Sequence, residues 1–564
     1  MVGELLRSGR VGPFGPADAG AVGTAVVRSG LVRFYRPDQA VRLVRGISRH
    51  GFGPAAGPLV GRVMCAGKLA LVDDDGSLTF AELDRACDAA GDQLSAVAGA
   101  RVGLLTRNSR GLYAAMVGAA RAGIDVVYLN TGSSAEQVAR TCRAEGITAL
   151  VHDAEFAGRR PAGLPAFDVA DLLTASGPIA SGLSARGPIA GRTPPGRPGP
   201  APRTDDPTPT AADGGRRSRH IILTSGTTGR PRGVARSAIG VGAAVTLLGG
   251  LPYRARQRHL IAAPGFHAWG WLNLLLTMLL SSTVVLTRRF DPERILALIE
   301  RERCEVLVAV PAMLQRLIGL DPSVQGRYDT SSLRVVSVSG SPLPHRLAAG
   351  FMDVYGEVLF NLYGSTEAAF ATVAGPADLR AAPDTAGRPL PGVRVRVTDE
   401  AGRDLPPGQV GAVVVGSGST FAGYTSGEDR PRTATGVEVG DLGRFDAAGR
   451  LFLVGRADDL VVTGGENVYP GTVEAALERH PAVVEAAVFG VPDPEFGQVL
   501  IAHAQIAPVR PAAEPAIPDE DELRNWARGL LAPFEVPRRV VLHDQPLPRN
   551  DTGKLLKNEL RDQS

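Results

Sequence analysis

Short apolar runs alternate with helix-like segments after about residue 100, and this alternation constrains the fold more than any other feature. The runs VGLLTRN, DVVYLN and TALVHD are separated by GLYAAMVGAARAG and SAEQVARTCRAEG. Strands that alternate with helical segments form a mainly parallel sheet with helices on its faces. Further on, HIIL, CEVLVAVP and LRVVSVSG are short apolar runs of the kind that a sheet buried on both faces produces. The pattern predicts an α/β fold, with α+β character in part.

The pattern changes twice towards the C-terminus. From about Gly387, the stretch RVRVTDEAGRDLPPGQVGAVVVGS has polar turns between strand-like runs, which indicates hairpins and a small barrel-like subdomain. After Gly455 the chain has strands and helices of its own, and the segment PGTVEAALERH places Pro470 at a helix start. We expect this last part to be a small, mobile α+β domain beside a large domain of parallel-rich sheets with helices.

A chain of 564 residues is too long for one ordinary core. We divide it into an N-terminal extension without an assigned role (1–60), a large domain (61–457) and a C-terminal domain (458–564). Residues 175–217 are rich in Pro, Gly, Ala and Ser. Such a segment cannot bury enough apolar surface to offset its ordering, so we expect a disordered insertion inside the large domain.

Charge and cysteine spacing exclude some classes of protein. A net charge of +3, without a dense Lys/Arg face, argues against nucleic acid as a partner. The four cysteines form no CxxC motif and no cluster with histidine, which favours free thiols in a reducing cytosol and hence a cytoplasmic protein. The N-terminus lacks a long apolar core, so we expect no signal peptide.

Residues 260–287 carry no formal charge apart from His267, and a membrane-spanning helix needs about 20 apolar residues. Pro264, Gly265, Gly270 and Asn273 interrupt this run. We therefore predict a buried strand, a loop with His267, a buried helix near residues 271–280 and a strand TVVLT, and no transmembrane segment. Peripheral contact with a membrane stays open.

The segment ILTSGTTGRPRGV (222–234) follows a strand and is dense in Ser, Thr and Gly. Small residues let backbone N–H groups approach a ligand closely, and hydroxyls add further donors, so the segment favours a cradle for a polyphosphate. It is not the common nucleotide P-loop, because the G-x-x-x-x-G-K-[ST] pattern is absent.

Two further segments add carboxylates to this cradle. NLYGSTE (361–367) supplies an aromatic ring, a Gly turn, a hydroxyl and Glu367, and a carboxylate beside phosphates implies a bridging Mg²⁺. VGDLGRF and LVGRADDL supply Asp441 and Arg456. A carboxylate is a good acceptor for a ribose diol, although Asp441 could equally be a structural residue of its turn.

Five segments in this order resemble the adenylate-forming superfamily: TSGTTGRPRGV, NLYGSTE, GDLG, GRADDLVVTGGENVYPGTVE and RNDTGKLLK. Within it the chain looks most like bacterial fatty-acyl-CoA synthetases, from about Lys68 to the C-terminus, interrupted by the Pro-rich insertion. The resemblance implies two steps with ATP, Mg²⁺ and coenzyme A. A carboxylate first attacks the α-phosphate of ATP to give an acyl-adenylate, and the thiol of coenzyme A then displaces AMP.

The resemblance also assigns roles to individual residues. Thr224 and Glu367 would bind Mg²⁺. The residues that would bind the β- and γ-phosphates are Thr224, Ser225, Gly226, Thr227, Thr228 and Gly229. Thr366 would contact the α-phosphate, and Asp441 and Arg456 would bind the ribose. The residues that would surround the adenine are Gly340, Ser341, Pro342 and Tyr363. Asp458 would be the hinge between the domains. Arg232 stands where the family commonly has lysine, and it keeps the positive charge near the phosphates.

His267, in GFHAWGW, matches the segment that walls the acyl pocket in this family. The nearby apolar side chains could line a channel for the acyl tail, although ordinary core packing explains them equally well; they are Trp269, Leu272, Leu274 and Leu275.

Lysine is rare in this chain: of 61 Lys and Arg residues, only Lys68, Lys554 and Lys557 are lysines. In the family, the lysine of the T-G-K segment reaches from the mobile domain to bridge the substrate carboxylate and the α-phosphate, a role that falls here to Lys554. A compact ammonium suits this bridge better than a planar guanidinium. Lys557 we interpret as a solvent-exposed helix charge.

The leading hypothesis is an acyl-CoA synthetase, an AMP-forming acid–thiol ligase, for a medium- or long-chain fatty acid. Three alternatives remain: a ligase for aryl or other small acids, an acyl-AMP ligase that loads a carrier protein, and a non-catalytic nucleotide-binding relative. A carboxylic acid is the expected partner, and a homodimer stays open.

Overall fold

The computed structural model describes fifteen parts of the chain: residues 24, 27–30, 39, 41–42, 54–97, 99–174, 218–225, 231–236, 241–365, 368–417, 424–425, 432–433, 436–507, 518–549 and 555–563. The expected insertion at 175–217 and most of the N-terminal extension lie outside these residues. One helix, Gly57–Cys65, crosses the expected boundary at residue 60.

The strands, in chain order up to residue 456, are β1 (Leu69–Asp73), β2 (Gly76–Thr79), β3 (Arg101–Leu105), β4 (Asp125–Tyr128), β5 (Ala149–His152), β6 (Ala166–Asp168), β7 (His220–Ser225), β8 (Pro231–Arg236), β9 (Arg258–Ile261), β10 (Thr283–Leu286), β11 (Val306–Ala309), β12 (Val335–Val338), β13 (Leu359–Ser365), β14 (Ala369–Ala374), β15 (Thr385–Pro389), β16 (Arg394–Thr398), β17 (Gly411–Gly416), β18 (Arg432–Thr433), β19 (Gly436–Phe445) and β20 (Leu451–Arg456).

The α-helices of the same part are α1 (Gly57–Cys65), α2 (Phe80–Val97), α3 (Arg110–Arg121), α4 (Ala135–Ala144), α5 (Asp171–Thr174), α6 (Val241–Gly250), α7 (Ala268–Leu279), α8 (Pro292–Glu302), α9 (Pro311–Ile318), α10 (Pro322–Gln325), α11 (His345–Tyr355) and α12 (Pro376–Ala381).

Local sequence explains where several helices begin. Asp291 caps α8 by accepting a hydrogen bond from the backbone of Arg294 at 2.8 Å, and Pro292 follows at the first helical position. Ser134 and Gln137 form a reciprocal capping box at the start of α4.

Two sheets carry the fold. The first runs β6-β5-β3-β4-β7-β8 and is parallel except for the antiparallel β8. The second runs β16-β17-β19-β20-β15-β14-β13-β12-β11-β9-β10-β1-β2, with β18 beside β19. Its strands from β1 through β10, β9, β11 and β12 to β13 are parallel, and those from β14 to β20 pair in antiparallel fashion. The predicted α/β fold with an antiparallel part is confirmed.

The antiparallel part curls strongly. Tyr363 on β13 hydrogen bonds to Asp441 on β19, although four strand steps separate these strands in the sheet. Neighbouring strands lie about 4.8 Å apart, so a flat sheet would hold them about 19 Å apart, far beyond one side chain. Apolar residues fill the inside of the curl, among them Ala386, Val413 and Val439. The expected barrel-like subdomain is this curled region.

Helix α7 lies between the two sheets. The indole of Trp269 donates to the carbonyl of Ala309 on β11 at 3.0 Å, and that of Trp271 donates to the hydroxyl of Tyr128 on β4 at 2.9 Å. The stretch 260–287 thus forms the predicted strand, loop, buried helix and strand, as β9, the His267 loop, α7 and β10.

None of the described helices combines the length and the apolar character that crossing a bilayer requires.

After β20, a short 3₁₀ turn (Ala457–Asp459) leads into a separate part of the chain. Its elements are β21 (Val461–Thr463), β22 (Glu466–Val468), α13 (Pro470–Glu478), β23 (Val483–Asp493), β24 (Gly497–Ile506), α14 (Glu520–Arg528), β25 (Arg539–His543) and α15 (Lys557–Arg561). β23, β24 and β25 form one sheet, which has its own apolar core against α13 and α14. Pro470 begins α13, as predicted.

Several described residues of the C-terminal part contact the large one. A Cβ added at Gly471, in the first turn of α13, would lie 2.5 Å from the carbonyl oxygen of Val454 on β20. The guanidinium of Arg346 on α11 donates to the carbonyl of Arg479 at 2.7 Å. Helix α13 therefore rests directly on the strand that carries Arg456.

Candidate active site

Asp441 lies at the centre of a polar group formed by three strands. It faces Arg456 in the register of β19 and β20, and Arg456 Nη1 donates to its Oδ1 at 3.2 Å. The hydroxyl of Tyr363 donates to the other carboxylate oxygen, Oδ2, at 2.6 Å. The Asp441 side chain is 16% exposed. A carboxylate that is held from both sides and is still reached by solvent is an acceptor with a fixed orientation.

The loop after β12 lies at the same edge of the large sheet. In the parallel register, Val338 at the end of β12 faces Asn361 on β13, so Gly340–Pro342, beyond the end of β12, and Tyr363, two residues past Asn361 on β13, lie towards the same edge of the sheet. Gly340 has a φ of +99°, a conformation that favours glycine, and it is exposed. Ser341 is half-buried and Pro342 is exposed. Carboxyl ends of parallel strands are where open α/β sheets bind ligands.

The Ser/Thr/Gly-rich segment is a hairpin between β7 and β8. The backbones of Thr224 and Ser225 face those of Arg232 and Pro231 in antiparallel register, while Gly226–Gly229 of the expected phosphate cradle lie outside the described residues. A Cβ added at Gly233 would lie 2.4 Å from Thr425 Oγ1 and 2.6 Å from a carboxylate oxygen of Glu145, so a larger residue at this position of β8 would displace both side chains.

Thr366 and Glu367 follow β13 directly and also lie outside the described residues. Among the described His, Cys, Asp and Glu side chains, no group of three or more is arranged to hold a metal ion. The described residues therefore do not test the fit of Mg²⁺, which stays a prediction for Thr224 and Glu367.

His267 is the residue immediately before α7. Its ring packs against that of Phe266, with centroids 4.3 Å apart, and its Nε2 is buried with no hydrogen-bond partner among the described residues. Burial lowers the pKa of His267 to about 4, so the imidazole is neutral near pH 7. A neutral, buried ring with one nitrogen to spare can hydrogen bond a ligand without adding charge.

Beyond His267, the side chains of α7 are core rather than channel along the described helix. Leu272, Leu274 and Leu275 are at most 6% exposed and belong to the main apolar core. Trp269 meets Phe370 of β14 edge to face, with centroids 5.3 Å apart. Phe370 therefore joins the wall that the sequence assigned to His267 and Trp269, a contribution that no local motif around residue 370 indicated.

The profile of a family described as AMP-binding enzyme matches residues 62–425, and that of the AMP-binding enzyme C-terminal domain matches residues 472–554. The chain belongs to the AMP-binding enzyme family. It is an ATP-dependent, AMP-forming ligase of a carboxylic acid. The ATP predicted from the sequence agrees with this family.

Relatives of this AMP-binding enzyme differ in acid and acceptor. Feruloyl-CoA synthase of an Amycolatopsis species is 35% identical over 60% of this chain and 69% of its own length. The fatty acid–[acyl-carrier-protein] ligase ScoC of Streptomyces coeruleorubidus is 31% identical over 90% of this chain and 93% of its own. A solved structure, that of the amide bond synthetase McbA of Marinactinospora thermotolerans, matches with a TM-score of 0.73 and 30% identity. The match covers 90% of this chain and 99% of McbA.

A buried polar network beside the site was not predicted from the sequence. The hydroxyl of Tyr128 is 2.7 Å from Nδ1 of His220 and accepts a hydrogen bond from the Trp271 indole. Burial lowers the pKa of His220 to about 4. The network ties α7 of the AMP-binding enzyme to the first sheet. Tyr128 and His220 lie in the apolar runs VVYL and HIIL, where a polar atom gives no periodic signal.

The two remaining assignments lie in the C-terminal part. The backbone of Asp458 lies in the 3₁₀ turn between β20 and β21. Lys554 lies outside the described residues, so its role stays a prediction. Lys557 does not match the solvent-exposed charge that we expected: its Nζ is 2.6 Å from Glu474 Oε1, and both side chains are less than 30% exposed.

Proposed function

We propose that this enzyme joins a carboxylic acid to the thiol of coenzyme A, by way of an acyl-adenylate, and that a medium- or long-chain fatty acid is its leading substrate class. The observation that carries the proposal is the Asp441 carboxylate, held by Tyr363 and Arg456 beside the carboxyl ends of β12 and β13. It offers a nucleotide ribose two fixed acceptor oxygens. The cytoplasmic location rests only on the cysteine spacing.

In the first step, a carboxylate oxygen of the acid forms a bond to the α-phosphorus of ATP as the bond to the pyrophosphate oxygen breaks. In the second, the sulfur of coenzyme A bonds to the acyl carbon, its proton is lost, and AMP leaves. Arg456 and Asp441 bind the ribose, and Gly340–Pro342 and Tyr363 border the adenine. Lys554 bridges the acid and the α-phosphate.

Thr224–Gly229 and Arg232 bind the β- and γ-phosphates, and Thr366 contacts the α-phosphate. Mg²⁺, held by Thr224 and Glu367, would offset the phosphate charge when bound. His267, neutral at the working pH, orients the acid at the mouth of the acyl pocket without placing a competing cation beside Lys554.

Support for a fatty acid comes from the carrier-protein ligase ScoC, because that similarity spans nearly the whole chain. A ligase of aryl acids is the second candidate, and one observation favours it. Trp269 and Phe370 form an aromatic wall, and the leucines of α7 are packed in the core instead of lining a channel. Feruloyl-CoA synthase, a relative named for an aryl acid, agrees with this second candidate.

The test is AMP release by the purified protein with Mg·ATP, fatty acids of graded length and a set of aryl acids, each with and without coenzyme A. Turnover that depends on coenzyme A and peaks at one fatty chain length is expected. Preference for ferulate-like acids would replace the fatty acid by the second candidate. Pyrophosphate exchange that coenzyme A does not affect, with acyl transfer to a phosphopantetheine-bearing carrier, would overturn coenzyme A as the acceptor. ATP binding without turnover of any acid would overturn the whole proposal.

A further inference from the structure

Asn108 lies in the loop between β3 and α3, and its side-chain amide contacts a distant stretch of backbone. Its Nδ2 donates to the carbonyl oxygens of Ile261 at 3.2 Å and Ala263 at 3.0 Å, and its Oδ1 accepts the backbone N–H of Gly265 at 2.7 Å. Between 153 and 157 residues separate Asn108 from these partners in the chain. Asn108 is only 5% exposed. One buried amide therefore ties the end of β3 in the first sheet to the end of β9 in the second.

The amide acts where β9 loses one of its neighbouring strands. β10 pairs with β9 only as far as Ile261. Beyond that residue, the N–H groups of Ala262 and Ala263 donate to the carbonyl of Val308 on β11 at 2.9 and 3.1 Å. Asn108 supplies two donors and one acceptor to the same stretch from a single planar group. Removing this amide would leave buried backbone groups unpaired, which costs free energy and favours a shift of the stretch.

Helix α7 packs directly on this stretch, at the point where it leads into His267. A Cβ added at Gly270, in the first turn of α7, would lie 2.2 Å from the carbonyl oxygen of Pro264. The backbone N–H of His267 donates to the same carbonyl at 3.1 Å. Gly265, which donates to Asn108, is itself buried and precedes His267 by two residues. A shift of the stretch would therefore move His267 with it.

The backbone on both sides of Asn108 is held by buried carboxylates. The N–H of Arg107 donates to Asp153 Oδ2 at 2.7 Å. The N–H of Arg110, the first residue of α3, donates to Asp73 Oδ2 at 2.8 Å. Both aspartates are buried. Asn108 is therefore a fixed point of the first sheet, and the stretch before α7 is set against it.

We propose that Asn108 is a positioning residue for the acid: its amide fixes the backbone of residues 261–265 and thereby the place of His267 at the mouth of the acyl pocket. The inference rests on the proposed function, since it takes His267 to orient the acid. The amide acts through this backbone, because it is buried and its donors and acceptor are engaged there. None of the three groups that it holds belongs to a residue that we assign to ATP, so the role affects the acid alone.

The test is AMP release by the full-length protein, with KM measured separately for ATP and for the fatty or aryl acid that turns over fastest. Asn108→Asp keeps the shape of the side chain and the acceptor for Gly265, but it turns an oxygen towards the carbonyls of Ile261 and Ala263. It should raise KM for the acid about 10- to 100-fold, because misplacing an orienting group by about 1 Å costs on that order. KM for ATP should change less than about threefold, whereas a merely structural loss would lower apparent kcat and leave both KM values unchanged.

The matched control is Gln325→Glu, the same exchange of amide for carboxylate outside the predicted site. Gln325 Nε2 donates to the carbonyls of Ile318 at 3.1 Å and Leu320 at 2.8 Å, at the C-terminal end of α9. This variant should lose stability and leave both KM values unchanged. Should Asn108→Asp not fold, Gly265→Ala makes the same prediction from the other partner, because its Cβ would lie 3.1 Å from Asn108 Oδ1 and displace the same stretch.

A second measurement does not depend on activity. Asn108→Ala removes the acceptor of the Gly265 N–H, so hydrogen exchange in the peptide that spans residues 262–268 should become at least about tenfold faster. A peptide within β12 is the internal reference, and its exchange should stay as in wild type. Unchanged exchange at residues 262–268 would show that Asn108 does not hold this stretch, and would overturn the proposal.

Two kinetic results would also overturn it: a KM for the acid in Asn108→Asp within about twofold of wild type, or equal rises in KM for the acid and for ATP. His267→Ala separates this failure from that of the proposed function. If His267→Ala raises KM for the acid while Asn108→Asp does not, only the positioning role is wrong. If His267→Ala keeps the wild-type KM for the acid, the role of His267 is wrong, and the positioning role with it.

Discussion

The hydroxyl of Tyr363 and a carboxylate oxygen of Asp441 lie 2.6 Å apart, on strands separated by four steps in their sheet. The bond closes the curled part of the sheet over the edge where Gly340–Pro342 leaves β12. It therefore does two things: it joins the parallel and antiparallel regions, and it holds the carboxylate that we assign to the ribose.

Asp441→Ala should raise KM for ATP about 10- to 100-fold, since hydrogen bonds to a charged group contribute about 1.5–3 kcal/mol each. The acid dependence should change much less. The measurement is the ATP dependence of pyrophosphate exchange, with Tyr363→Phe as the partner variant that keeps the ring and removes the donor. An unchanged KM for ATP in Asp441→Ala would make this carboxylate a structural residue of its turn.

Glu478 predicts a pH dependence of the C-terminal part. Burial raises the pKa of Glu478 to about 8, helped by the charges of Glu474, Glu485 and Asp384. The folded state then holds a proton on Glu478 that the unfolded state, with a pKa near 4.5, releases earlier. The free energy of unfolding should therefore fall as pH rises from about 4.5 to about 8, and level off above.

Glu478→Gln keeps an acceptor for the backbone N–H of Ala486, 3.1 Å away in the wild type, and removes the charge. It should match wild type near pH 4.5 and be more stable at pH 8, by on the order of 2 kcal/mol. Denaturant unfolding at both pH values measures this, with the exposed Glu495→Gln as control. A stability difference that does not grow between pH 4.5 and pH 8 would contradict the prediction.

Phe370→Ala should change which acids are used. Removing the ring that packs on Trp269 opens the aromatic wall, so longer or bulkier acids should gain about tenfold in kcat/KM relative to the wild-type substrate. Competition between two acids in one reaction gives the ratio directly. Phe351→Leu, a change in a different core, should lower stability and leave the ratio alone. If the ratio of kcat/KM between the two acids is the same in Phe370→Ala and in wild type, Phe370 does not line the acyl pocket.

Asp458→Pro should slow thioester formation at least tenfold while sparing adenylation. Position 458 lies in the 3₁₀ turn between β20 and β21, and proline fixes φ there, which should restrict the domain rotation that we predict for the second half-reaction. Single-turnover assays of each half-reaction measure the effect. If Asp458→Pro loses adenylation and keeps thioester formation, the hinge is not at residue 458.

Much of the fold follows from local pattern. The apolar runs around Val306 and Val335 became buried parallel strands because both of their faces are covered. The uncharged stretch around Trp271 became a helix of 12 residues that is buried between the sheets. The residues predicted to bind the nucleotide could be proposed from sequence because each lies in or beside a short motif of the family.

What could not be predicted depends on contacts distant in sequence. The partner of Asp441 lies 78 residues away, across a curl that no single strand encodes. Phe370 reaches Trp269 only because β14 returns beside β13. Lys557 looked like an exposed helix charge, since nothing in KNELR indicates that Glu474, 83 residues earlier, lies beneath it.

The ion pair of Lys557 also affects whether the enzyme can be acylated by its own intermediate. An acyl-adenylate is an acylating agent, and an amine reacts with it through its lone pair. Lys557 presents an ammonium whose donors are engaged by Glu474 and the carbonyl of Val488, and whose side chain is only 28% exposed. With two further lysines in its whole sequence, this enzyme offers its own reactive intermediate very few side-chain amines to modify.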